Sequence, residues 1–176
     1  MGGPITTSAD GPGSFTRFAL ALYARDGVPA ACLHLQSRHD LDVPVVLFAA
    51  YLGAVLRQTL TASGVDAARG RVDEWHREIV RPLRAVRQRL KTGPAPAPDD
   101  ITAQLRSQVQ RIEIDAELIE LDQLGALLPA LEPVTASGSA SECASAAIKT
   151  VINSYSPIPI GDQDRRAIDT IAGAAG

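Results

Sequence analysis

The chain has 176 residues, about the length of one domain, and it is long enough to bury a hydrophobic core without disulfides. Apolar residues make up 45% of the chain and aromatic residues only 4%, so leucine and alanine dominate the apolar part and favour helices over strands. The net charge of −3 gives no reason to expect nucleic acid, and two cysteines alone cannot build a zinc site. We expect no metal and no cofactor.

The first predicted elements follow a leader rich in glycine and proline. Residues 1–13 lack the basic and apolar regions of a secretory signal and are predicted to be a disordered leader. Ser14 is a candidate N-cap for the first helix, which Asp26 and Gly27 end. Pro29 lies in the first turn of a second helix that ends near His39 and Asp40.

The next segment is the most apolar part of the chain. Asp42 is predicted to cap a helix from Val43 to about Leu60, and this helix is apolar nearly all round through Leu56. A membrane span needs about 20 apolar residues, so this shorter run indicates a helix buried at the centre of a bundle. We therefore expect no membrane span and a cytoplasmic protein.

A fourth helix is predicted from about Asp66 to Lys91. Pro82 lies inside it, so a kink is expected between Glu78 and Pro82. His76 is predicted to be solvated on this charged helix. One side of the helix carries a row of four arginines, here called the arginine edge: Arg77, Arg81, Arg84 and Arg87.

The rest of the chain alternates between linkers and helices. Residues 92–99 form a proline-rich linker, and a fifth helix with an acidic middle runs from Asp99 or Asp100 to about Leu128. Its stretch from Ile112 to Leu118 also alternates like a strand, but its length favours a helix. We predict one helical domain over 14–128, a linker over 129–141, and a C-terminal helix with a mobile tail over 142–176.

These elements predict an all-α fold. It is an irregular bundle of five main helices around the central apolar helix, with a short C-terminal helix and flexible ends. The first, second, fourth and fifth helices are expected to enclose the segment Val43–Leu60, while residues 142–155 form a smaller helix with a face of small side chains.

The favoured function is a non-enzymatic protein-interaction or regulatory module that binds an unknown protein partner through the arginine edge. No spacing points to a catalytic residue, because no activated serine or cysteine lies near a base in a recognisable motif. A competing interpretation is that the arginines pair with the acidic fifth helix, which would be an antiparallel neighbour joined by a short linker. Nucleic acid is not expected, since aromatic side chains for base stacking are missing.

Two alternative functions remain open. The first is a small-ligand-binding protein or an enzyme of unrecognised class, with a pocket between the second, third and fourth helices near His34, Asp42, Tyr51 and Trp75. The second is a homodimeric structural protein that associates through the small-residue helix around Ala144 to Ile152.

Several segments resemble a family of uncharacterised proteobacterial proteins catalogued as a domain of unknown function. The resemblance is carried by the stretches 14–23, 41–43, 75–80 and 82–84, and it covers roughly residues 14–92, with a looser match along the fifth helix. Pro44 stands where the family pattern has asparagine, and Tyr51 where it has tryptophan, which puts any ligand role of the asparagine position in doubt here. The resemblance implies a helical, bacterial, cytoplasmic protein and no activity.

Overall fold

The computed structural model describes residues 13–132 and 134–176, so the predicted leader, apart from Gly13, lies outside the described residues. The described residues form eight α-helices, α1 (Ser14–Tyr23), α2 (Val28–His39), α3 (Val43–Ala54), α4 (Ala62–Trp75), α5 (Arg81–Thr92), α6 (Asp100–Leu127), α7 (Ala140–Tyr155) and α8 (Asp162–Ala175). The predicted all-α class is confirmed. The stretch from Ile112 to Leu118, which also alternates like a strand, lies within helix α6.

The apolar helix α3 lies at the centre of the core. Its residues from Pro44 to Gly53 are all buried, which is why its sequence needs no polar face. The most extensive packing partner of α3 is α7, which was predicted to be a minor helix. The small-residue face of α7 around Ala144 to Ile152 is buried in the core, so the alternative of homodimerisation through this face is wrong. Gly53 allows this close packing, because a Cβ atom at this position would lie 2.5 Å from the backbone of Ala144.

The central helix is shorter than predicted. It ends at Ala54 rather than near Leu60, and Arg57 then adopts a left-handed backbone conformation with φ of 55°. The chain continues as strand β1 (Gln58–Thr59), which pairs antiparallel with β2 (Val134–Thr135) inside the predicted second linker. The expected continuation of the helix to Leu60 is therefore wrong.

The C-terminal segment is part of the core. A mobile tail with a last short helix that Asp162 caps is predicted here from the sequence, but Asp162–Ala175 forms a full helix α8, which packs on α2 and α7. Ile168 and Ile171 are fully buried in the core cluster. The expectation of a mobile tail is corrected, because these isoleucines, spaced three residues apart, give the segment an apolar face to bury.

The predicted irregularity before Pro82 takes the form of a π-helical turn. This turn (His76–Val80) separates α4 from α5, and the amide of Arg81 donates to the carbonyl of His76, five residues earlier. Pro82 has no amide proton to donate, so the regular hydrogen-bond ladder cannot continue unchanged here. Val72, His76 and Val80, which are four residues apart, all become buried.

Helices α5 and α6 form a hairpin that projects from the core. Within the described structure, α5 packs chiefly on α6 and the π turn, and none of its residues is buried. The C-terminal half of α6 supplies the residues that enter the main core, such as Leu121 and Leu124. None of the helices in the described part of the chain combines the length and the apolar character that a bilayer crossing requires.

Candidate ligand-binding site

Half of the arginine edge is bound to the chain's own acidic helix. Arg84 donates to Glu113 at 3.1 Å and to Glu117 at 2.7 Å, and Arg87 also pairs with Glu113. Burial alone would raise the pKa of Glu113, but the hydrogen bonds from Arg87 and Arg84 outweigh burial and lower it below its usual value. These bridges fix α5 against α6, as the competing interpretation of the edge predicts.

The other two arginines of the edge have carboxylate partners elsewhere. Arg77 lies 3.1 Å from Glu78 and 3.7 Å from Asp73, both on its own helical segment. Arg81 lies 3.3 Å from Asp40, just after α2. Partner binding through the arginine edge remains a hypothesis, and a partner would have to compete with these carboxylates for each guanidinium.

The four residues of the alternative pocket lie in different environments. His34 bonds to Asp164, and Tyr51 is fully buried, with its hydroxyl 3.0 Å from that of Ser14. Trp75 donates to the backbone carbonyl of Ala116, while Asp42 accepts from Tyr155. Of these four side chains, only Asp42 lines either of the two cavities described below.

A cavity of about 120 Å³ lies instead where α1, α2 and α3 meet the hairpin. Its walls are mostly apolar, and Leu20, Leu33 and Ile114 are exposed at its rim. Five helical elements contribute polar side chains to it. These side chains are Tyr23 on α1, Gln36 on α2, His76 on the π turn, Arg84 on α5, and Glu117 and Glu120 on α6.

His76 is the central polar residue of this cavity. Its imidazole is almost fully buried, and its Nδ1 lies 2.9 Å from Oε1 of Glu120. On its other side, Nε2 lies 3.3 Å from Oδ1 of Asp42, in contact but without hydrogen-bond geometry. The π turn and α6 thus hold one imidazole between two carboxylates, and the predicted solvated position of His76 is wrong.

Burial and charge act in opposite directions on His76. Desolvation would lower the pKa of His76, but the hydrogen bond to Glu120 and the charges of Asp42 and Glu120 raise it above its usual value. Desolvation also raises the pKa of Glu120, and the nearby His76 offsets this only in part. The two carboxylates therefore favour the protonated form of His76, which is hydrogen-bonded to Glu120 and in ionic contact with Asp42.

Glu120 has unused hydrogen-bonding capacity. It is 1% exposed, and its Oε1 is bound to His76. Its Oε2 is buried and has no hydrogen-bond partner within the described structure. A buried carboxylate oxygen without a donor is rare in proteins, because its desolvation costs about 1–3 kcal/mol or more.

A second cavity, of about 100 Å³, lies on the other side of His76. Its lining is strongly charged and includes side chains of both signs. Tyr155 closes one side and donates to Asp42, and burial raises the pKa of Tyr155. The charged side chains that line it besides His76 are Asp40, Asp42, Arg69, Asp73, Arg77 and Arg81.

A separate buried cluster surrounds Asp164, at the start of α8. This fully buried carboxylate is bonded to His34 at 2.8 Å and to Arg38 at 3.0 Å, and its Oδ2 accepts from the amide of Gly161. Burial alone would raise its pKa, but these donors, together with His39, lower it to about 2. The cluster ties α8 to α2, so His34 has a structural partner.

No group of three or more histidine, cysteine or acidic side chains in the described part of the chain is placed to hold a metal ion. The pairing of His76 with Glu120 is not among the contacts predicted from the sequence. One signal was available, since Val72, His76 and Val80 share a four-residue spacing that a widened helical turn can align on one side.

The fold and this site define an all-helical protein with a partly open apolar cavity around a buried imidazole–carboxylate pair. Residues 14–124 match the family described as "Protein of unknown function (DUF2390)", and the chain belongs to this family. No curated protein and no solved structure matches the chain significantly.

Proposed function

We propose that this protein binds a small ligand that has an apolar body and a positively charged hydrogen-bond donor, such as a protonated amine. The observation that carries this proposal is the buried Oε2 of Glu120, which has no hydrogen-bond partner among the described residues although Glu120 lines the cavity. A ligand donor would satisfy this oxygen and remove the cost of burying it.

The walls of the cavity suit an apolar body. Val43, Leu47, Leu118 and Leu121 line it beside the polar residues, and Leu33 lies at its rim. Small-molecule sites combine largely apolar walls with a few polar groups in this way. A cavity of about 150 Å³ holds benzene, so the 120 Å³ here suits a body of about that size.

The charges around the cavity favour a cation over an anion. Arg84 is already paired with two carboxylates, Glu113 and Glu117, which neutralise its charge and would compete with an anionic ligand. Even with a protonated imidazole, carboxylates outnumber cations in the two groups of ion pairs that contain the cavity residues His76 and Arg84. The carboxylates are Asp42, Glu113, Glu117 and Glu120, and the cations are His76, Arg84 and Arg87.

Benzylamine tests the proposal, with benzyl alcohol and benzoate as neutral and anionic controls of similar size. We expect benzylamine to shift the amide NMR signals of residues around the cavity and to bind more tightly than either control. Glu120→Gln should weaken benzylamine about 10- to 100-fold, because it replaces a charge-assisted hydrogen bond worth about 1.5–3 kcal/mol. Glu74→Gln, at an exposed carboxylate on α4, is the matched control and should change nothing.

Two further measurements separate binding from misfolding. Leu118→Trp should fill the cavity and abolish binding of benzylamine while the helical circular dichroism is retained. Glu120→Gln should also lower the pKa of His76, since it removes the hydrogen-bonded charge that raises it. Equal affinity of benzylamine for the wild type and Glu120→Gln, or signal shifts spread over the whole surface, would contradict the proposal.

A further inference from the structure

The hairpin of α5 and α6 carries an apolar face that the rest of the described chain leaves uncovered. Together with the end of α4 and the π turn beside it, the hairpin carries seven large apolar side chains that are 37% to 77% exposed, which is more than half of all such exposed side chains in the described structure. We call this set the outer hairpin face. It consists of Trp75, Ile79, Val86, Ile101, Leu105, Ile112 and Ile119.

The spacing of these residues places them on one side of the hairpin. Leu105, Ile112 and Ile119 recur every seven residues on α6, and Ile79 and Val86 have the same spacing on the adjoining segment. Ile112 and the cavity residue Ile114 are two positions apart, which is about 200° around a helix. The outer hairpin face therefore lies opposite the ligand cavity.

We infer that the outer hairpin face binds a second copy of this chain, so that two hairpins form a four-helix bundle. Each hairpin already has two antiparallel helices, with an apolar row at seven-residue spacing on α6 and Val86 on α5, which is half of such a bundle. The salt bridges of Arg84 and Arg87 with α6 lie on the other flank and do not interfere. A two-fold axis would place the same face on both partners.

The exposed area reaches the lower limit of what a specific dimer needs. With about 180 Å² for each fully exposed side chain of this size, the face exposes about 600 Å², at the upper end for a monomer's largest apolar patch. Two copies would thus bury about 1,200 Å² from these side chains alone, which reaches the lower end of the range for specific interfaces.

On α6, the surroundings of the face favour a second copy over an anionic membrane. Gln104 and Gln108 lie beside the apolar row on α6 and carry no charge that would repel a partner. Asp115 lies between Ile112 and Ile119 along the same helix, and its carboxylate would repel anionic lipid headgroups. The experiment must therefore distinguish self-association from binding to a lipid surface.

Sedimentation equilibrium of the full chain over a range of concentrations tests this inference. We expect the wild type to sediment at twice the 18.5 kDa of one chain at concentrations of tens of micromolar. Ile112→Glu should weaken the dimer at least 100-fold, and Val86→Arg, on the other helix, should do the same. Ile158→Glu, at an exposed isoleucine before α8, is the matched control and should remain dimeric.

All variants change exposed side chains, so their circular dichroism should equal that of the wild type. A wild-type monomer at millimolar concentration would overturn the inference, as would a dimer that Ile112→Glu and Val86→Arg leave intact. A wild type that stays monomeric but binds vesicles of phosphatidylglycerol and phosphatidylcholine would assign the face to a membrane instead. Ile112 lies opposite the cavity, so Ile112→Glu should still bind benzylamine. Failure of this inference can therefore be distinguished from failure of the proposed function.

Discussion

The Asp164 cluster makes the stability of this protein depend on one buried charge. Asp164 is fully buried between His34 and Arg38 of α2 and the amide of Gly161. Its pKa is lowered from 3.8 to about 2. Because one pKa unit corresponds to about 1.4 kcal/mol, ionisation of Asp164 stabilises the fold by about 2 kcal/mol at neutral pH.

Asp164→Asn removes this charge with little change in shape, so we expect it to lower the free energy of unfolding by about 2 kcal/mol at pH 7. The folded pKa lies below the unfolded one, so the stabilisation is complete above about pH 5 and is lost as the pH falls through 3.8 toward 2. The difference between wild type and variant should therefore shrink to roughly half by pH 3.

Urea unfolding followed by circular dichroism at pH 7, 5, 4 and 3 measures this difference. Asp169→Asn, at an exposed carboxylate on the same helix, controls for the general effect of removing a negative charge from α8. A difference that stays constant from pH 7 to pH 3 would show that Asp164 acts through packing rather than through its charge. A loss equal to that of Asp169→Asn would refute the role of the cluster altogether.

Two other predictions concern helix packing. Gly53→Ala should lower the free energy of unfolding by more than about 2 kcal/mol in the same urea assay, because the added methyl group would overlap the backbone of Ala144 where α3 packs on α7. Gly70→Ala is the control, since a Cβ at this position meets nothing within 4 Å, and it should be neutral or stabilising. Glu113→Gln should cost about 1–3 kcal/mol because it leaves Arg84 and Arg87 of the hairpin poorly paired, whereas Glu78→Gln, in an exposed pair with Arg77, should cost less than about 1 kcal/mol. Equal costs for the two glutamate variants would contradict the view that burial sets the worth of these pairs.

The centre of the fold could be predicted because its signal is local. A run of apolar residues from Val43 to Leu56 is too short to span a membrane and too apolar to face water, so it has to be enclosed by other helices. The helix that packs most closely on this segment could not be predicted from the sequence in the same way. The packing of α7 on α3 depends on the contact between Gly53 and Ala144, which is a property of two distant residues together.

The salt bridges of the hairpin could be anticipated in part. An acidic helix that follows a basic one after a short linker indicates antiparallel pairing, and Arg84 and Arg87 do bind Glu113. The sequence could not show that Arg81 reaches Asp40 instead, because that contact depends on how the π turn redirects α5. The shift of hydrogen bonding within His76–Val80 changes which residues face inward.

The same π turn explains why the candidate site was missed. On a regular helix, each step of four residues rotates a side chain by about 40°, so Val80 would lie about 80° from Val72, near the edge of one apolar face. A π turn takes more residues per turn, so it turns Val80 back toward Val72 and keeps His76 between two buried neighbours. His76 is followed in the sequence by the charged residues Arg77 and Glu78, so the sequence does not indicate that its imidazole faces inward.

Helix α6 connects the two proposals while keeping them physically separate. Glu117 and Glu120 face the cavity on one side, and Ile112 and Ile119 face outward on the other. A second copy bound to the outer side would leave the cavity open and would hold α5 and α6 more firmly together. Since Arg84 and Glu120 form parts of the cavity wall from these two helices, a dimer would stiffen the site without competing with its ligand.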